Sequence, residues 1–289
     1  MTRIRRLLIV ASVVAALAVP VTAAASSGAT RHPGASPAVY YLSLGDSLAQ
    51  GVQPNSTGAS VETNQGYADD LFGVERFRVR GLQLEKLGCP GETTTTMLTG
   101  GICPYAQGNQ VAAAGAFLAT HKVAFITIDI GANNVDGCVT PTGLDPTCVE
   151  AGFTAAGHDL PLILGALRSA APTVPIYGMN YYDPFLSEWL SGSVGQALAT
   201  ESVTVAGEFN AAVLAPVYTA FGAPVADVAS AFQTTNFNLV PFLGIPVNVL
   251  TICGLTWMCA PAPVGPNIHA NVIGYALIAS TFARTIGKL

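Results

Sequence analysis

The chain carries little charge. Asp, Glu, Lys and Arg make up 10% of its 289 residues, against 51% apolar. A polyanion partner needs a basic surface, whereas 12 Lys and Arg against 17 Asp and Glu give a net charge of −5, so nucleic acid is excluded as a partner. Cys-x-x-Cys pairs are missing, and His32, His121, His158 and His269 lie far apart, so neither a metal nor another cofactor is expected. Also missing is an apolar run of the roughly 20 residues that a bilayer-spanning helix needs. The run from Leu7 to Val19 is shorter, and no stable membrane anchor is expected. There is no fixed-period repeat and no low-complexity tail.

That short apolar run follows Arg3, Arg5 and Arg6 and precedes small residues, the layout of a secretory signal. The expected signal is residues 1–25, with cleavage after Ala23 or Ala25; Arg5-Arg6 leaves both general and twin-arginine export open. Its removal takes three Arg and no acid, moving the net charge from −5 to −8. Ser26 to Pro37, rich in Ser, Gly, Ala and Pro, reads as a flexible lead-in, and residues 38–289 read as a single domain. An exported, secreted chain with six cysteines suggests disulfides, and these cysteines fall into three locally close pairs: Cys89 with Cys103, Cys138 with Cys148, Cys253 with Cys259.

Short β-prone runs alternate with longer helical stretches. The runs are Val39 to Leu44, Val79 to Leu87, Val123 to Ile130, Val174 to Met179 and Val225 to Val228. Helical patterns occupy Gln110 to Ala119, Cys148 to Ala170, Val194 to Phe221 and Asn271 to Ile286. This alternation predicts an α/β fold with a mainly parallel sheet covered by helices. Val123 to Ile130 is nearly continuous in apolar residues, as a central strand covered on both faces should be. Phe237 to Leu250 reads as an apolar, helix-poor connection.

In an open parallel sheet, reactive groups collect beyond the carboxyl ends of the strands. Four polar motifs occupy such places. Gly45-Asp46-Ser47-Leu48 follows the first run and presents a serine on a tight turn. Gly91, after the second run, offers an unobstructed backbone N–H. Gly131-Ala132-Asn133-Asn134 ends the central run with an amide donor. Near the C-terminus, Pro266-Asn267-Ile268-His269 precedes the last helix and supplies a base.

In this order the four motifs resemble the blocks of the SGNH/GDSL hydrolases, over a span from Tyr41 to Ala279. The local cysteine pairs and Gly178-Met179-Asn180-Tyr181-Tyr182 are similar to its secreted actinobacterial esterases and lipases. The resemblance implies a three-layer α/β/α sandwich around five strands, flavodoxin-like in order. It also implies a monomeric carboxylic ester hydrolase acting on a small-molecule or lipid ester through an acyl-enzyme. Ser47 would be the nucleophile and His269 the general base, with the N–H groups of Ser47 and Gly91 and the side chain of Asn133 forming the oxyanion hole. The chain departs from the family twice: Asn134 stands where Asp is usual, and Pro266 stands where an acid usually precedes the base by three residues. A Ser-His dyad follows, with the Pro266 carbonyl orienting His269; Asp227, after the last run, is the alternative acid.

Competing readings remain at this stage: Ser47 as a helix cap, Asn133 and Gly91 as turn residues, a different serine-hydrolase fold, a carbohydrate acetyl esterase, or a non-catalytic secreted binding module. For substrate, Asn236 to Val247 either lines an acyl pocket, favouring apolar acyl esters, or packs under the Cys253 to Cys259 loop.

Overall fold

The computed structural model describes residues 38–140 and 143–288; the expected signal and lead-in lie outside the described residues. In chain order the strands are β1 (Val39–Gly45), β2 (Gln53–Pro54), β3 (Ser60–Val61), β4 (Leu82–Lys86), β5 (Val123–Asp129), β6 (Val139–Thr140), β7 (Gly143–Leu144), β8 (Ile176–Met179) and β9 (Val225–Ala226). The α-helices are α1 (Tyr67–Glu75), α2 (Thr94–Thr99), α3 (Gln110–Thr120), α4 (Pro146–Ala170), α5 (Ser193–Glu208), α6 (Ala215–Ala220), α7 (Val228–Ala231), α8 (Val247–Leu255) and α9 (Val272–Ile286).

Five strands form one parallel sheet in the order β4-β1-β5-β8-β9, and the other four make two small antiparallel hairpins. The central strand β5 has no exposed residue, and Phe125, Ile126 and Ile128 are fully buried. Its Thr127 is accommodated by the Tyr41 hydroxyl at 2.7 Å, so this buried polar group keeps a partner. Helices α1 and α9 pack together as one layer, with α7 and α8 beside α9; α2, α3 and α4 pack together as the other. This is the expected three-layer α/β arrangement.

The strand order reverses direction between β1 and β5, the place where an open α/β sheet leaves a crevice beyond its carboxyl ends. Register aligns the two ends, because Gly45 of β1 faces Asp129 of β5. The loops that follow these strands therefore emerge side by side.

Two elements differ from expectation. The helix expected over Val194 to Phe221 is broken: α5 passes into a π-helical segment, Phe209–Leu214, before α6. Pro216 lacks the N–H that would continue the α-helical ladder, a physical reason for the register to slip just before it. The connection expected to be helix-poor, Phe237 to Leu250, is helix-free as far as Pro246 and then enters α8, whose apolar residues lie on no single face and so leave no periodic signature.

Candidate active site

The serine turn is built on close backbone approach. Gly45 has φ 132°, and a Cβ there would sit 2.0 Å from the Asp129 carbonyl oxygen, so only glycine fits. The Gln110 side chain clamps this residue, accepting from Gly45 N at 2.7 Å and donating to its oxygen at 2.9 Å. Asp46 N donates to Asp129 O at 3.0 Å, and the Asp46 carboxylate accepts from Leu48 N at 3.0 Å. Ser47 is thereby fixed at the carboxyl end of the sheet, 9% exposed.

Below it lies a pair of acids. Asp46 and Asp129 are hydrogen-bonded side chain to side chain, and Tyr67 donates to Asp129 while Ala49 N donates to its other oxygen at 3.2 Å. Burial, then the neighbouring acid, holds the Asp129 carboxyl well above the usual carboxylate range, and burial raises Asp46 to about 6.

The loop after β5 turns at Gly131 (φ 126°) into a single 3-10 turn, Ala132–Asn134. Asn133 donates one amide hydrogen to Glu92 O at 2.9 Å, leaving the second available. Asn134 makes two bonds to Thr94, accepting from its N–H at 3.0 Å and donating to its hydroxyl at 2.9 Å. The position where the family usually has Asp thus ties the third motif to the loop after β4. Gly91 (φ 83°) precedes Glu92 but is exposed and does not line the cavity described below.

His269 lies just before α9, whose N-cap Asn271 accepts from Ile273 N and Gly274 N. Trp257 N donates to His269 O at 3.0 Å, and Tyr182 donates to Ile268 O at 2.9 Å, which pins the loop from two sides. The Asn267 oxygen accepts from His269 N at 3.1 Å and meets His269 Nδ1 at 2.6 Å. An atom that accepts from a backbone N–H is the amide oxygen, so Nδ1 carries the ring proton and Nε2 is free to accept.

Here two expectations are corrected. The hydrogen bond on His269 Nδ1 comes from the Asn267 side chain rather than the Pro266 carbonyl, because the Asx turn brings an amide oxygen back over the ring. Asp227 is occupied elsewhere: it caps α7, accepting from Asn180 Nδ2 at 2.8 Å and Ser230 N at 3.1 Å. Sequence reasoning missed Asn267, for which the only signal is a polar residue two positions before the histidine.

One cavity, open to solvent and enclosing about 780 Å³ including its mouth, is lined by both Ser47 and His269. Asn133 lines it as well, so three of the four motifs meet there. Its apolar wall comes from Val139, Leu144, Phe185, Val205, Phe209 and Ile268. None of Asn236 to Val247 contributes, so of the two readings of this connection the pocket-lining one fails; Leu239, Phe242 and Leu243 are exposed. The cavity's remaining ionisable groups include Asp46, Asp136 and Asp183, and no Lys or Arg among the described residues lines it. Burial raises Asp183 to about 6, and burial with the charges of Asp46 and Asp183 raises Asp136 to about 8. Asp183 is bonded to Ser202 Oγ at 2.7 Å and Phe185 N at 2.9 Å; the Asp136 carboxyl has no hydrogen-bond partner among the described residues. Burial lowers His269 to about 4, so its imidazole is neutral at physiological pH. The three cysteine pairs are disulfides as expected, the last closing the loop that leads to the histidine.

No curated protein matches the chain. Its fold is similar to solved structures of an extracellular lipase from Streptomyces rimosus (18% identity, 86% of this chain and 100% of that one, TM-score 0.58) and a phospholipase A1 from Streptomyces albidoflavus (16%, 86% and 99%, 0.54). A lipase from a goat rumen metagenome is similar too (16%, 86% and 98%, 0.52). The family model described as GDSL-like lipase/acylhydrolase matches residues 43–277, which include the serine turn, the asparagine motif and the histidine loop. The chain therefore belongs to the GDSL-like lipase/acylhydrolase family and is a carboxylic ester hydrolase.

Proposed function

We propose that the chain is an exported esterase that cleaves esters with uncharged, apolar acyl chains through an acyl-enzyme on Ser47. The observation that carries this reading is the single cavity lined by Ser47, His269 and Asn133 together. His269 Nε2 takes the serine proton as Oγ attacks the ester carbonyl, then returns it to the leaving alcohol. Water repeats the sequence in reverse on the acyl-enzyme and frees the acid. The developing oxyanion is met by Ser47 N–H and the free amide hydrogen of Asn133; Gly91, exposed and outside the cavity lining, is given no part in it. Asn267 holds the tautomer, but as a neutral acceptor it adds no charge to stabilise the imidazolium. The catalytic pair is then a dyad with an amide as positioning residue.

The acyl preference is supported by the wall of the cavity. Aliphatic and aromatic side chains receive a hydrocarbon, while the absence of a cation among the described lining residues leaves an anionic acyl chain without a partner. The three disulfides and the N-terminal signal pattern support export. A panel of nitrophenyl esters tests the proposal. Ser47→Ala is expected to lose turnover by at least about 10⁴-fold, and an alkyl phosphonate is expected to label Ser47 in the wild type alone. Hydrolysis that survives Ser47→Ala unchanged would refute it.

A further inference from the structure

Between Asp227 and Arg284 the sequence contains no Asp, Glu, Lys or Arg. Soluble surfaces normally intersperse both signs of charge, so an exposed stretch of this kind is unusual. The segment does reach the surface. Leu239 is 60% exposed, Leu243 59% and Ile273 67%, while Phe242 is as exposed as a side chain can be.

Residues 239–246 form a hairpin, closed by the bridge between Leu239 and Pro246 and by Val240 N donating to Ile245 O at 2.9 Å. At its tip Phe242 adopts φ 68°, a left-handed conformation that a bulky aromatic rarely takes. The backbone is thus strained to hold an apolar ring in water, opposite to what folding alone would favour. The base is firm: Val247 N bonds Asn238 O at 2.9 Å, and Asn248 bonds Thr234 O at 3.0 Å. Phe237 packs on Trp189, with ring centroids 5.6 Å apart. Trp189 belongs to the 3-10 segment Pro184–Ser191, whose first residues, Pro184 and Phe185, wall the cavity. The projection is therefore braced against the same segment that shapes the substrate pocket.

We infer that this hairpin is an interfacial anchor that inserts Phe242 and Leu243 into the surface of uncharged or zwitterionic lipid. Charge selects this occupant. An anionic membrane would be repelled by a chain of net charge −5, and the charge-free segment offers no cation to offset that. No described helix is long and apolar enough to cross a membrane, so the attachment is peripheral and reversible. The inference rests on the proposed esterase reading only for the purpose of the visit, which is to bring the cavity to esters held in an aggregate. Adsorption itself needs no catalysis.

The test uses the full chain as Ser47→Ala, so that the lipid is not consumed, with Phe242→Asp and Phe242→Trp added to it. Cosedimentation with phosphatidylcholine vesicles is expected for the parent, to fall at least about tenfold in Phe242→Asp and to persist in Phe242→Trp. Binding to phosphatidylglycerol vesicles is expected to be weaker. In the otherwise wild-type enzyme, Phe242→Asp is expected to leave thermal unfolding and turnover of a soluble acetate ester unchanged. Equal cosedimentation of parent and Phe242→Asp, or none by the parent, overturns the inference. So does a concentration-dependent dimer that Phe242→Asp abolishes in the absence of vesicle binding, because the hairpin would then meet a second copy. If Ser47→Ala kept full turnover while vesicle binding still required Phe242, the esterase mechanism would fail and the anchor would stand.

Discussion

The serine and the histidine reach one cavity from regions built in opposite ways. Ser47 and Asn133 leave the aligned ends of two paired central strands, fixed by sheet register, by the Gln110 clamp and by a buried acid pair. His269 sits in a loop with one isolated bridge, Thr256 to Ala270, that follows the Cys253–Cys259 disulfide and is shaped by an Asx turn. The nucleophile is thus positioned by the central sheet, whereas the base is carried on a loop and its ring is oriented by a residue two positions away. Damage to the first should cost the fold as well as activity; damage to the second should be more confined to the chemistry.

The sharpest way to test this contrast is to remove one donor on the serine side without touching the sheet. Asn133→Ala should lower turnover by about 100-fold or more, measured as kcat on a soluble ester. It should also loosen the loop after β4, because Glu92 O loses its partner; if both effects are absent, Asn133 is only a turn residue. On the histidine side, Asn267→Ala should cost tens of fold in kcat with little change in Tm, as the ring loses its tautomer preference. Asn267→Asp should retain activity but alter its pH profile. In the wild type the base is lost only as pH falls through about 4, because burial has lowered the imidazole to that value. A carboxylate at 267 favours the imidazolium, so the acid limb of kcat/KM should move upward. An unmoved limb would mean that the side chain at 267 does not touch the base.

Smaller effects follow. Replacing both Cys253 and Cys259 by Ser should cost about 2 kcal/mol of stability from loop entropy, read by chemical denaturation. KM for a soluble ester should change less than about twofold. Asp136→Asn should be nearly silent on neutral butyrate esters. With Asp136 at about 8, the cavity gains a negative charge as pH rises past that value, so hydrolysis of an ester with a free carboxylate on its acyl chain should fall there severalfold relative to butyrate. Asp136→Asn should remove that fall. The sign for stability is the same: a carboxyl held above its unfolded value weakens the fold as pH rises toward 8, so the variant should gain Tm in alkaline buffer.

The contrast also explains what was legible in the sequence. Strands such as Val123–Asp129, the glycine-bounded serine turn and the asparagine motif are written in local patterns, because a parallel sheet demands continuous apolar runs and sharp turns at their ends. The partner of the histidine was not legible. Asn267 and the Pro266 carbonyl are neighbours in the chain, and only the loop's three-dimensional path decides which reaches Nδ1. Leu239 to Leu243 misled for a related reason: apolar residues are expected to be covered, and nothing in the sequence marks a hairpin that turns them outward. Helix α8 escaped because residues apolar on several sides carry no phase.

The π-helical turn at Phe209–Leu214 has an evolutionary corollary. Phe209 and Asn210 at its start line the cavity, Asn210 gripping Tyr181 through both backbone groups, whereas Tyr218 beyond it packs where Gly178 leaves room for its ring. One continuous rod therefore serves two surfaces whose angular phases do not match, and the widened turn reconciles them. Deleting a single residue there would swing one surface or the other out of alignment, so variation in pocket length is easier to accept at Val205 and Ala206, upstream of the slip, than anywhere along the turn itself.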